Sequence, residues 1–116
     1  MCAIYGIIGQ NNIELLKKMS ASQIFRGPDS QEFYDHKETN VSFGINRLAV
    51  IDRELGIQPM LSWNKKFILV FNGAIYNFRE IKKVLLKKKI NFKINFDTEV
   101  VVNSYAFWGG QAFNYF

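Results

Sequence analysis

The apolar residues of this chain change period several times along its length, and they never settle into a regular strand–helix–strand alternation. Residues 3–8, Ala-Ile-Tyr-Gly-Ile-Ile, form a short apolar run stopped by Gly9, the pattern of a buried strand. From Asn12 to Ile24 the period lengthens. Leu15, Leu16, Met19 and Ile24 recur at roughly helical spacing, Asn11 or Asn12 can serve as the cap, and Glu14 falls in the first turn. Arg26-Gly27-Pro28-Asp29-Ser30 ends that helix, because Gly and Pro together make turns. Residues 32–35 and 41–48 read as strands joined by a polar turn that holds His36, expected there as a solvent-exposed residue; Ala49-Val50-Ile51 carries the second apolar run on to Asp52.

Residues 57–62 and 67–71 flank Trp63-Asn64-Lys65-Lys66 as a hairpin, and its second strand runs into Asn72-Gly73. Asn77 followed by Glu80 is a capping-box-like start to a helix with Phe78, Ile81, Val84 and Leu85 as its apolar stripe, running to about Lys89. Residues 92–94 read as a short strand. Asp97-Thr98 opens a last helix through Val101, Val102, Tyr105 and Trp108, closed by Gly109-Gly110, and residues 111–116 end on aromatics without a clear element. Runs of strands with helices between them point to an α+β fold with mostly antiparallel sheet.

At 116 residues the chain is one domain's worth, and 48% hydrophobic residues are enough to build a core. The single cysteine excludes an internal disulfide, offers no metal-ligand pattern and fits a reducing compartment. With no apolar run of membrane-spanning length and no secretory leader, the expectation is a cytoplasmic protein with no membrane partner. The net charge of +5 comes from local lysine pairs and triplets on expected helix surfaces, so nucleic acid is not expected as a partner.

The chemistry concentrates at Cys2. If Met1 is removed, Cys2 becomes the terminus and carries a thiol of pKa about 8.5 beside an α-amine of pKa about 8, a nucleophile with its own base. The alternative is a small buried hydrophobe at the start of a strand. Asn72-Gly73 is either an ordinary turn or a pair of donors for an oxyanion; Arg47 is either a surface arginine or a fork for a carboxylate; Asp97 is either a helix cap or the partner of an ammonium.

Taken in order, Cys2, Arg26-Gly27-Pro28-Asp29, Arg47-Leu48-Ala49-Val50-Ile51-Asp52, Gln58-Pro59-Met60, Asn72-Gly73-Ala74-Ile75-Tyr76-Asn77 and Asp97-Thr98-Glu99-Val100 resemble the amino-terminal glutaminase domain of glutamine-hydrolysing asparagine synthetases. These are class II glutamine amidotransferases of the N-terminal-nucleophile type. The resemblance covers essentially the whole chain. It implies a four-layer αββα sandwich, incomplete at the C-terminal end, in which residues 1–116 supply the amino-terminal portion and the synthetase domain is absent.

By that resemblance L-glutamine is the substrate, Cys2 the nucleophile, and Asn72 with Gly73 the oxyanion pair. Arg47, Ile51 and Asp97 bind substrate, while Arg26 and Asp29 stabilise the turn near the site. No cofactor or metal is expected in this chain; ATP and Mg²⁺ belong to the synthetase domain, which as a domain or a separate subunit is an expected partner, as is a second copy in a homodimer. The departures are Phe25 for a histidine, Ile45-Asn46 for a polar pair, Ala74 for a glutamate and Phe96 for a small polar residue. They keep two alternatives open: a truncated, non-catalytic module acting through protein contacts, and another class II amidotransferase.

Overall fold

A computed structural model describes residues 1–48 and 56–116. The expected continuation of the apolar run through Ala49, Val50 and Ile51 to Asp52 lies outside the described residues. The chain divides into two compact units, Met1–Arg53 with Val70–Asn72, and Glu54–Leu69 with Gly73–Phe116. The class is α+β, and both described sheets are antiparallel.

In the first unit, β1 (Ala3–Ile8), β2 (Ser30–His36) and β3 (Val41–Arg47) form a sheet of order β1-β3-β2. The pairs Ala3 with Asn46 and Ser30 with Arg47 set its register. Helix α1 (Ile13–Ser22) starts as the sequence predicts: the Asn12 side chain accepts from the Leu15 amide at 2.9 Å. It ends two residues before the expected Ile24, which instead begins a 3₁₀ turn, Ile24–Arg26.

Gly27 then makes the closest approach in this unit. A Cβ built there would run into the carbonyl of Asn46 and the amide of Arg47, so no other residue fits without displacing β3. The Asp29 amide donates to the Arg47 carbonyl at 3.0 Å, and the Arg-Gly-Pro-Asp turn is thereby fastened to the end of that strand.

The turn between β2 and β3 is held by polar groups. Asp35 accepts from the Ser42 hydroxyl and from Asn11 Nδ2, and these bonds, led by Ser42, hold its carboxyl below the usual carboxylate range. His36 is half-buried rather than exposed: its Nδ1 lies 2.7 Å from the Thr39 hydroxyl and its ring stacks on Tyr34.

In the second unit, β4 (Met60–Leu61) and β5 (Ile68–Leu69) pair as the expected hairpin, but each strand is only two residues long. Ser62 closes the loop, its amide donating to the Phe67 carbonyl at 2.9 Å. Helix α2 (Phe78–Lys87) buries Ile81 and Leu85 against Ile90 and Val100, with Phe78 packed at the edge. Val84, expected in the stripe, is 45% exposed and lies outside the buried cluster.

Three further expectations are corrected. Asn77 sits at the cap position of α2 but its side chain donates to the Tyr115 carbonyl at 2.7 Å, so the capping box does not form. The helix stops at Lys87, and Lys89 takes a left-handed φ of 64°. Residues 92–94 are not a strand: the amides of Lys93 and Ile94 donate to the Glu99 carboxylate, which leaves no strand ladder to join.

Helix α3 (Asp97–Trp108) buries every residue from Thr98 to Ser104. Gly109, with φ of 60°, ends it in the left-handed region open to glycine. The last residues are more ordered than the sequence indicated: Gly109–Asn114 forms a 3₁₀ helix and Tyr115 stacks on Trp108 at 4.4 Å.

Two outcomes follow from these contacts. Gly27→Ala should cost about 3 kcal/mol or more, since it overpacks against backbone that cannot rotate away; the shift in denaturation midpoint measures it. Asp35, with its folded value depressed, adds stability that is present above the ordinary carboxylate value and lost as pH falls through the folded one. The stability difference between the wild type and Asp35→Asn should therefore be full at neutral pH and shrink below about pH 4, in urea titrations.

Candidate active site

Cys2 lies just ahead of β1, and the ladder that pairs Ala3 with Asn46, continued by one residue, sets Cys2 beside Arg47 at the end of β3. The half-buried Cys2 thiol faces the Leu48 carbonyl, with Sγ to O at 3.9 Å. Seventy residues away in the chain, the Asn72 side-chain amide donates to the Cys2 carbonyl at 3.0 Å. Three of the residues singled out from sequence, Cys2, Arg47 and Asn72, thus belong to the first unit, and two are joined by a direct hydrogen bond.

The strand ends are held by a buried polar network that the sequence did not reveal. Asn46, fully buried, accepts at Oδ1 from the Ser20 hydroxyl at 2.6 Å and from the Tyr5 hydroxyl at 2.8 Å. Its Nδ2 donates to the Ser20 carbonyl at 2.8 Å. One side chain therefore ties α1, β1 and β3 together immediately before Arg47. Burial pushes the Tyr5 hydroxyl's pKa up, opposed by a Ser20 hydrogen bond. Tyr5 thus stays a neutral donor at physiological pH.

Gly73 and Asp97 belong to the second unit. Asp97 is the first residue of α3, not its cap, and its Oδ2 accepts from the Ile75 amide at 3.0 Å. The acid therefore fixes the turn that follows Gly73. Ala74 and Tyr76 in that turn are exposed, Tyr76 almost completely. Ile51, the remaining predicted substrate-binding residue, lies outside the described residues. Glu99, two residues beyond Asp97 and only 6% exposed, was not singled out; its signal was an acid at the third position of a helix with no side-chain cap.

Also in the second unit, a groove of about 540 Å³ is lined by Ile57, Met60, Leu61, Trp63, Lys93 and Glu99 among others. Among the described residues, no group of three His, Cys, Asp or Glu is placed to hold a metal ion, and no helix is long and apolar enough to cross a membrane.

Removing the Asn46 amide leaves two hydroxyls and a carbonyl without their buried partner. Asn46→Ala should destabilise the fold by about 1–3 kcal/mol for each group left unpaired, and Asn46→Asp, which keeps the acceptor for both hydroxyls but buries a charge and sets an oxygen against the Ser20 carbonyl, should cost at least as much at neutral pH. Thermal unfolding of the two variants tests the order.

The family model of the glutamine amidotransferase domain matches residues 1–116. The chain is 34% identical over 119 residues to asparagine synthetase (glutamine-hydrolyzing) 1 of Bacillus subtilis (strain 168), a match covering 97% of this chain and 18% of that protein. It is 32% identical over 108 residues to the asparagine synthetase (glutamine-hydrolyzing) of Mesocricetus auratus, covering 90% of this chain and 19% of that protein. With asparagine synthetase (glutamine-hydrolyzing) 1 of Arabidopsis thaliana the identity is 31% over 114 residues, covering 94% and 19%. The chain spans about a fifth of the length of these curated relatives. Matched along its whole length, with the paired Cys2 and Asn72 at its site, it belongs to the glutamine amidotransferase domain family.

Proposed function

We propose that this chain is the glutaminase part of an asparagine-synthetase-like enzyme, releasing ammonia from L-glutamine through a thioester on Cys2. The observation that carries the reading is the hydrogen bond from Asn72 to Cys2, which brings an amide donor to the nucleophilic residue across 70 residues of sequence. In this reading residues 1–116 form the amino-terminal portion of a class II amidotransferase domain, and the full domain is a four-layer αββα sandwich.

The chemistry needs four things. With Met1 removed, the Cys2 sulfur attacks the side-chain carbonyl carbon of glutamine, and its α-amine takes the thiol proton and passes it to the departing nitrogen. Ammonia leaves as the C–N bond breaks. Water then attacks the γ-glutamyl thioester, releasing glutamate and returning the proton to sulfur.

The negative charge that develops on the carbonyl oxygen is met by the second N–H of the Asn72 amide and the backbone N–H of Gly73, each such donor contributing about 3 kcal/mol. The Arg47 guanidinium takes the substrate α-carboxylate as a planar fork, Asp97 takes the α-ammonium at the oxygen that Ile75 does not occupy, and Ile51 lends apolar contact. Ala74 supplies no second carboxylate, so Asp97 carries that ammonium alone.

The ammonia feeds amide synthesis on aspartate in a synthetase portion, on the same chain or a separate subunit. ATP and Mg²⁺ act in that portion, and no step on Cys2 runs through them. We assign the protein to the cytoplasm, where a free thiol stays reduced. A homodimer completes the reading, with the exposed rings of Phe113 and Tyr115 as surface that such a contact would cover.

The test is an intact mass of the purified chain before and after an electrophilic glutamine analogue. Loss of Met1 and one adduct on Cys2, blocked by excess glutamine, is the expected result. Asn72→Ala should lower kcat for glutamine hydrolysis about 100- to 1,000-fold and Cys2→Ala should abolish it. A processed chain that never labels overturns the assignment.

A further inference from the structure

Glu99 is a buried acid for which the steps above have no use. It is 6% exposed, and its two oxygens are spent on consecutive backbone amides: Lys93 N donates to Oε1 at 2.9 Å and Ile94 N to Oε2 at 2.8 Å. Taking a carboxylate out of water is costly unless each oxygen finds a partner, and bonds to a charged acceptor are roughly twice as strong as neutral ones. The result is a stiff fastening.

What it fastens is specific. Residues 90–96 connect α2 to α3 without forming a strand, and the cap residue of α3, Phe96, makes no side-chain bond to the helix. Glu99 is the third residue of that helix, the position from which a glutamate ordinarily reaches back to the cap amide. Here it reaches further, to residues 93 and 94. Lys82 holds the same connection from α2, its ammonium donating to the Ile94 carbonyl at 2.8 Å.

The first helical residue after this connection is Asp97, which through Oδ2 holds the Ile75 amide in the turn that begins at Gly73. Freeing the amides of residues 93 and 94 unfastens the connection on the side that enters α3, and Asp97 is the residue at that entry. A carboxylate displaced from a substrate ammonium loses a charged hydrogen bond that ground state and transition state share, which weakens binding without slowing the chemical step.

We infer that Glu99 is a positioning residue: it holds Asp97 at the place where that carboxylate receives the substrate ammonium, and so sets glutamine affinity rather than the rate of chemistry on Cys2. The inference rests on the role proposed for Asp97. Its signature is selectivity. Loss of Glu99 harms a substrate that carries an α-ammonium and leaves untouched the same ω-amide without one.

The experiment compares glutamine with glutaramate, which keeps the amide and the carboxylate and lacks the amine, on the purified chain. Glu99→Gln keeps the volume but turns an N–H donor toward a backbone amide. It should raise KM for glutamine about tenfold to a hundredfold with kcat within about twofold, and leave kcat/KM for glutaramate unchanged. Combined with Asp97→Ala, it should add nothing, as for two residues acting through one contact. Glu99→Asp, with charge kept and reach shortened, gives the same split at smaller size and serves if Glu99→Gln does not fold.

Equal loss on both substrates, or full additivity with Asp97→Ala, means a merely structural acid and overturns the inference while leaving the glutaminase reading intact. A wild-type chain that neither hydrolyses glutamine nor labels with the electrophile overturns both.

Discussion

The buried amide of Asn46 is the contact on which the first unit depends. A sheet of three strands and one helix has little apolar area to spend, and among the described residues its fully buried apolar side chains are few, chiefly Leu16 and Ile45. Asn46 adds direction to that small core. Its oxygen and nitrogen each have partners on α1, and the oxygen has one on β1 as well, so a slip of either element by one residue would strand hydroxyls in a dry interior. The register that sets Cys2 beside Arg47 is therefore defended by a polar penalty as well as by packing.

The second unit uses the same device on irregular backbone. Where the chain leaves helix or strand, side chains take the orphaned amides: Asn103 accepts from Trp63 at 2.8 Å, Asp97 from Ile75, and Glu99 from Lys93 and Ile94. All three acceptors stand on α3. That explains why this helix buries polar and apolar residues alike without a break from Thr98 to Ser104, where α1 and α2 bury two residues each. It acts as a rod to which two loops and a hairpin are pinned, and an amphipathic stripe alone would not do this.

The elements that were legible in the sequence are those whose cause is local. Asn12 caps α1 because a short polar side chain precedes an apolar period; Gly109 ends α3 because the backbone there needs φ above zero; Ala3–Ile8 is a strand because nothing interrupts its apolar run. What stayed hidden depended on distant partners. The structure buries Ser42, Gly44 and Asn46, because polar partners from the loop before α1 and from α1 itself cover that face, Asn11 reaching Ser42 and Ser20 reaching Asn46. Asn77 failed as a side-chain cap for the same kind of reason, a carbonyl 38 residues away.

The candidate site divides along the same line. Cys2 stood out by its own chemistry, and Arg47, Asn72, Gly73 and Asp97 through the motifs of the family resemblance, yet nothing local says that Asn72 reaches Cys2 or that Asp97 holds Ile75. A carboxylate on rotatable bonds is held in one direction when one of its oxygens is engaged. Ile75 supplies that engagement from the turn opened by Gly73. The same hydrogen bond thus orients the Asp97 carboxylate and holds the turn that follows Gly73. Ala74, in the same turn, adds no second carboxylate, so that bond is the one acidic contact the turn has on α3 among the described residues.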